Sequence, residues 1–346
     1  MHYYPLQEFV FPNLALSCPD EMYARASAGS SLFSHHEKRI QFAPFSAVSL
    51  DTFFNSFSVK VWKKNTSLST LYLKIIGTGE FILRIGLHQR GVEHKILQES
   101  SIHFDEHGEC LIPIEAWGEL QDGMLYPTLV AKGDASLLGG GFFTADAPIH
   151  PVKLGVVITH FNRKKQTLPA IARIHNELLT DKRYGDKIEL IVVDNSNNIS
   201  AEEAMGATLI PNKNYGGSGG FMRGLMHLKD HGFTHCLFMD DDASCEIESI
   251  RRTYQLHAYS RTPRMAVAGS LLLDVMPYHL HEKGAKMSLR YSISLHNKTD
   301  MRDIGDLLDA EHEKDIAEYG GWWFFAFRLA DVTQWAFPFF VRGDDI

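Results

Sequence analysis

The stretch that decides the fold is HCLFMDDDASCE, residues 235–246. An apolar run ends at Met239, and Asp240, Asp241 and Asp242 follow at once. Adjacent like charges repel, so a folded domain keeps such a triplet only where something offsets it. The run before the triplet is continuous rather than alternating, which reads as a strand buried on both faces. Two similar runs lie upstream: KLGVVITHF, residues 153–161, and IELIVVDNS, residues 188–196. TLPAIARIHNELL, GGFMRGLMHLKDHG and EIESIRRTYQLHAYS carry helical spacing, and MAVAGSLLLD reads as a further strand. Strands alternating with helices predict a Rossmann-like α/β domain with a mainly parallel sheet over residues 151–346.

Residues 1–150 read differently. Short apolar runs such as SFSVKVWKK, LSTLYLKIIG and EFILRIGLHQ alternate with turn residues, which predicts an all-β, jelly-roll-like sandwich. LLGGGFF, residues 137–143, with Pro148 and Pro151, marks the boundary.

Bulk properties narrow the function. The net charge is −8, and Arg163-Lys164-Lys165 and Arg251-Arg252 are too short to form the basic stripe of a nucleic-acid binder. The four cysteines, Cys18, Cys110, Cys236 and Cys245, form no CxxC pair, which fits a reducing cytoplasm better than a disulfide framework or a zinc site. The start, MHYYPLQEFVFPNL, lacks the basic and apolar regions of a signal peptide. The aromatic segment 322–341 is broken by Arg328 and Asp331, so it suits contact with a membrane surface, not a span.

In open α/β sheets ligands bind outside the carboxyl ends of the strands. Residues 159–163, Asp194-Asn195-Ser196 and the aspartate triplet all fall at predicted strand ends. If extended geometry persists past Met239, Asp240 and Asp242 point together and Asp241 points away. Two such carboxylates form a hard oxygen site for Mg2+ or Mn2+, which completes its shell with substrate phosphates. The competing reading makes Asp242 a helix N-cap, with Ser244 and Glu246 favouring the dipole. NYGGSGGFMRG, residues 214–224, matches neither GxGxxG nor the P-loop. Its glycines let backbone N–H groups face an anion ahead of a helix, or simply make a tight packing turn. Arg223, one turn in, either reaches a phosphate or lies on a solvated face.

VVITHFNR, VVDNSNN, NKNYGGSGGFMRG, FMDDDA, GGWWFFAF and FPFFVRGDDI, in this order, resemble the galactofuranosyltransferase branch of the inverting, GT-A-fold glycosyltransferase family 2, its mycobacterial polymerising members included. The resemblance covers 152–346 and extends more weakly to SLDTFFNSF and GGGFFTADAP in the N-terminal region. It implies that Arg163 contacts uracil and that Asp194 reads uracil or ribose. Asn214, Gly216, Gly217 and Gly219 would line the donor pocket, with Arg223 and Asp241 among the nucleotide contacts. Asp240 and Asp242 would hold Mn2+ or Mg2+, and Trp322 and Trp323 would form an acceptor platform. Of Asp344 and Asp345, the second would be the catalytic base. Core packing is the alternative for the tryptophans, because adjacent strand residues face opposite ways.

The implied reaction moves galactofuranose from UDP-galactofuranose to a hydroxyl of a growing polysaccharide or lipid-linked glycan, such as an O-chain or cell-wall galactan, in the cytoplasm or at the inner face of its membrane. The N-terminal sandwich would position the glycan. A dTDP-rhamnose transferase on the same fold is the second enzyme reading, and a non-catalytic glycan-binding protein is the reading from another class. The family's metal-binding histidine lies downstream of the Asp-Asp pair, whereas this sequence stops at Ile346. His279, His281, His296 and His312 stand upstream and are poor substitutes. The expectation is a longer protein with a C-terminal helical region that carries homo-oligomer contacts.

Overall fold

A computed structural model of the chain describes residues 2–29, 31–287, 292–312 and 317–336. The backbone divides into two compact units. The first is Met1–Pro148 with Leu272–Glu282 and His296–Ile316; the second is Ile149–Leu271 with Lys283–Leu295 and Ala317–Ile346. The sequence reading places 272–282 and 296–316 in the second domain, but they join the first unit. The reason is burial: Leu280, Met301, Leu307 and Ala310 share an apolar cluster with Met22, Tyr23 and Met124. Burying such side chains is the dominant favourable term in folding.

The first unit is β-rich. Among the described residues, ten strands join one hydrogen-bonded network. The long strands Tyr72–Gln89 and Val92–Pro113 pair antiparallel over most of their length. Leu73, Ile75, Phe81, Leu83, Ile85 and Leu87 are buried, the period of two that a half-buried strand requires. Tyr72–Gln89 also changes its other partner midway. Residues 72–78 pair with Ala135–Thr144, and 81–88 pair with Met124–Ala131. The change falls at a bulge between Gly77 and Gly79, where Gly79 has φ +84° and a Cβ would press on Asp134 O at 2.7 Å.

In the second unit the described residues form a six-stranded sheet. Its order is Thr208–Pro211, Ile188–Asp194, Leu154–His160, His235–Asp240, Phe325–Arg328, Val267–Ala268. The first four strands are parallel and Phe325–Arg328 runs antiparallel to both its neighbours. MAVAGSLLLD is therefore not one strand: only Val267–Ala268 joins this sheet. The aromatic segment supplies the antiparallel strand instead.

The helix Gly216–Asp230 lies on the central strand through a reciprocal fit of small and large residues. Residues 155, 157 and 159 share one face of the strand, and 220, 224 and 228 share one face of the helix. Leu228 covers Gly155, where a Cβ would lie 2.1 Å from Leu228 Cδ2. Gly224 meets Val157, and Gly220 meets Thr159, at equivalent separations of 2.3 Å and 2.2 Å. Phe221, Leu225 and Leu228 join Val157, Ile191, Val193, Cys236 and Phe238 in the unit's core. No described helix is long and apolar enough to cross a membrane.

Candidate active site

Register brings the polar strand ends to one sheet edge. His160 lies opposite Asp194, and Thr159 opposite Asp240. The chain does not stay extended beyond Asp240. It turns at Asp241–Asp242, with the Ala243 N–H donating to Asp240 O at 3.3 Å. This corrects the expectation that Asp241 and Asp242 point apart, because both converge on one guanidinium.

That guanidinium is Arg163. Its Nη1 lies 2.9 Å from Asp241 Oδ1 and 2.7 Å from Asp242 Oδ2. Asp241 is only 6% exposed and also accepts the Phe161 N–H at 3.0 Å. His160 Nδ1 stands 3.6 Å from the same carboxylate. Asp242 keeps about half its side chain in solvent, 48% exposed. The hydrogen bond to Asp241 raises the Arg163 pKa above its usual value, against the opposing effect of burial; the charges of Asp242, Asp241 and Asp240 add to the rise. Arg163 is thus the protein's own compensation for the triplet. The N-cap reading of Asp242 falls, since the next helix, Ile247–Ala258, starts after Glu246.

Asp194 is bound to the backbone of the loop that follows its strand. It is 1% exposed. Its Oδ1 accepts the Ser196 N–H at 2.9 Å, and its Oδ2 accepts the N–H groups of Asn198 at 2.8 Å and Ile199 at 2.9 Å. Burial pushes its pKa up, but these backbone donors outweigh burial and hold the carboxyl below its usual range. Asp194 thus organises the loop after its strand, with two donors on Oδ2 and one on Oδ1.

The strand ends carry residues that the sequence reading grouped without giving them individual roles. His160, fully buried, bonds Thr167 Oγ1 at 2.9 Å and Asn198 Oδ1 at 3.0 Å through its two ring nitrogens. Asn195 donates to Gly216 O at 3.2 Å and accepts from Asn212 Nδ2 at 2.8 Å, which ties the second strand to the glycine-rich segment. Asn162, at φ +56°, donates its N–H to Ser196 Oγ at 2.8 Å. The available signal was position at a strand end, which names the cluster and not its internal bonds.

The glycines are the first turn of the helix, not a loop before it: the helix begins at Gly216, which has φ +78°. Asn214 Oδ1 accepts the Gly216 N–H at 3.0 Å. Gly216 and Gly219 are half-buried, Gly217 and Arg223 exposed. Trp322 is half-buried and packs edge-to-face on Phe221 and Phe238 at the margin of the core, with centroids 5.3 Å and 5.2 Å apart. Trp323 is half-buried and donates Nε1–H to Gly269 O at 2.9 Å. Asp344 and Asp345 lie outside the described residues.

Among the described residues no group of three or more His, Cys, Asp or Glu is arranged to hold a metal ion. The donor chemistry of the triplet nonetheless suits a hard cation. Asp240 and Asp242 are carboxylates at the strand end, neither fully buried, with a guanidinium already seated on one of them. His279, His281, His296 and His312 belong to the first unit.

Comparison with known proteins agrees on the class. Residues 155–270 match the family model described as glycosyl transferase family 2. The chain is 24% identical to the galactofuranosyltransferase GlfT2 of Mycobacterium tuberculosis over 351 residues, covering 94% of this chain and 55% of the relative. It is 23% identical to the galactofuranosyltransferase GlfT2 of Mycolicibacterium smegmatis over 357 residues, covering 94% and 54%. The chain therefore spans about half the length of the curated relatives it matches. Among solved structures, a Pyrobaculum calidifontis mannosyltransferase in complex with GDP-mannose and Mn2+ overlaps with a TM-score of 0.29 at 16% identity, covering 37% of this chain and 38% of that one.

Proposed function

Residues 155–270 belong to glycosyltransferase family 2, and from that premise we propose that the chain is an inverting, divalent-metal-dependent galactofuranosyltransferase. The donor is UDP-galactofuranose and the acceptor a hydroxyl of a growing or lipid-linked glycan. The observation that supports this best is the strand-end cluster of Asp240, Asp241, Asp242 and Arg163 at the carboxyl edge of the sheet.

Asp240 and Asp242 would hold Mn2+ or Mg2+, which when bound stabilises the negative charge gathering on a diphosphate leaving group. Gly216, Gly217 and Gly219 let a diphosphate approach the backbone of the first helical turn closely, where the helix dipole favours its negative charge. Arg163 and Asp241 form the floor on the nucleotide side. Asp194 acts at one remove, by fixing the loop that carries Asn195 and Ser196. Trp323, rather than Trp322, is the tryptophan left to meet an acceptor sugar. Asp345, with Asp344 beside it, is the proposed base; removing the acceptor proton in the transition state is typically worth about 10²–10⁴-fold. A single displacement inverts the anomeric centre with no covalent intermediate. The β-rich unit, as a sandwich, would position the glycan, at the cytoplasmic face of a membrane.

A donor comparison tests this reading. With a galactofuranosyl oligosaccharide acceptor and Mn2+, UDP-galactofuranose should give elongated product and dTDP-rhamnose none. Transfer from dTDP-rhamnose alone would make the chain a rhamnosyltransferase. Acceptor binding without transfer from either donor would favour a glycan-binding role.

A further inference from the structure

We propose that Arg163 sets the order of binding at this site: it occupies Asp242 until a nucleoside diphosphate arrives, so the divalent cation enters with the nucleotide and not before it. The inference rests on the reading of Asp240 and Asp242 as the cation's ligands. One nitrogen, Nη1, serves both Asp241 at 2.9 Å and Asp242 at 2.7 Å. The two carboxylates are not equivalent. Asp241 is buried and pinned by the Phe161 N–H, so it anchors the guanidinium. Asp242 is half in solvent and is the partner Arg163 can release. A cation approaching alone must take Asp242 from Arg163 and then sit beside a fixed positive charge. A diphosphate brings negative charge that offsets that repulsion and supplies further oxygen ligands. Arg163 thereby acts as a positioning residue that suppresses metal binding by the empty site. By linkage, whatever factor the nucleotide adds to metal affinity, the metal adds to nucleotide affinity.

The test is Mn2+ titration followed by the electron paramagnetic resonance signal of the free ion, with and without UDP. The proteins are the wild type, Arg163→Gln and Asp240→Asn. The wild type should bind Mn2+ weakly alone and more tightly with UDP. Arg163→Gln should bind Mn2+ alone about tenfold more tightly than the wild type, a factor within the ~5–150-fold span usual for coupled sites, and UDP should then add correspondingly less. Asp240→Asn should bind none under either condition. If Arg163→Gln and wild type bind Mn2+ alone equally well, the ordering role is overturned while the metal site stands. If neither binds Mn2+ even with UDP, the metal-site reading fails and takes this proposal with it. A purely structural Arg163 would lower the melting temperature and leave the Mn2+ affinity unmoved. Should the Gln variant not fold, Arg163→Lys replaces it; a compact ammonium holds the two carboxylates less well than a guanidinium, so its Mn2+ affinity should fall between the two.

Discussion

Gly220 sits directly against Thr159, where a Cβ on the glycine would lie 2.2 Å from Thr159 Cγ2 and 3.1 Å from Asn195 Nδ2. The contact joins the first turn of the glycine-rich helix to the end of the central strand. Gly220→Ala should overpack this contact and destabilise the protein by about 1–3 kcal/mol, despite the helix propensity that alanine adds. Gly224→Ala, against Val157, should behave alike. Chemical denaturation measures both. Gly220→Ala should also weaken UDP binding, since it shifts the helix start that carries Gly216, Gly217 and Gly219.

Asp194 predicts a stability effect and a pH dependence. Asp194→Ala strips three backbone N–H groups of their acceptor and should cost roughly 2–4 kcal/mol, since charge-assisted bonds are worth about 1.5–3 kcal/mol each and water restores part. Its folded pKa lies below the usual 3.8. The folded state therefore holds its proton less tightly than the unfolded chain. That stability is present above the unfolded value and is lost as pH falls through the folded one. Asp194→Asn should flatten the loss below about pH 4 in acid unfolding curves.

The rings of His235 and His257 lie 4.5 Å apart, tilted by 45°, in the second unit, and both residues are buried. Burial lowers His235 to about 4, aided by the charges of Arg328 and His150 and opposed by Asp331. Burial, with His235 adding, lowers His257 to about 3. Both are neutral in the fold, and the unfolded chain takes up their protons first. Stability is full above about pH 6.5 and declines toward pH 4, by up to about 1.4 kcal/mol per pH unit for each histidine. His257 Nε2 is buried without a hydrogen-bond partner, so His257→Leu should be tolerated at pH 7 and should shallow this slope. Urea midpoints at pH 7, 5.5 and 4.5 decide it.

The tryptophans should separate by assay. Trp322→Ala removes a ring packed on Phe221 and Phe238 and should cost roughly 2–4 kcal/mol of stability, toward the lower part of the range for aromatic truncation. Trp323→Phe should leave stability nearly unchanged, apart from the bond to Gly269 O at about 1 kcal/mol, and raise the KM for acceptor. Equal stability losses in both variants, with no change in KM, would remove Trp323 from the acceptor site.

What the sequence made legible was periodic. Continuous apolar runs gave the three central parallel strands, and each run ends on the polar residues that register brings together: His160, Asp194 and Asp240. What depends on contacts across the fold was not legible. A turn at Asp241 sent its carboxylate back to Arg163, 78 residues earlier. Three backbone donors hold Asp194, which its strand-end position and the family resemblance had marked only as a ligand contact. Gly216 and Gly217 read as a turn ahead of the helix because helix propensity argues against them, yet the helix begins at Gly216. Within it, Gly220 and Gly224 stand where larger residues would strike the strand. Leu280 and Met301 joined the first unit through burial with partners far away in sequence.

The central claim is that Asp240 and Asp242 form a metal-dependent nucleotide site. Isothermal titration of UDP and UDP-galactofuranose, with and without Mn2+, tests it in the wild type and in the double variant Asp240→Ala/Asp242→Ala. The account predicts uridine-nucleotide binding that requires Mn2+ and is lost in the variant. Binding of equal strength without Mn2+, or retained in the variant, would contradict it.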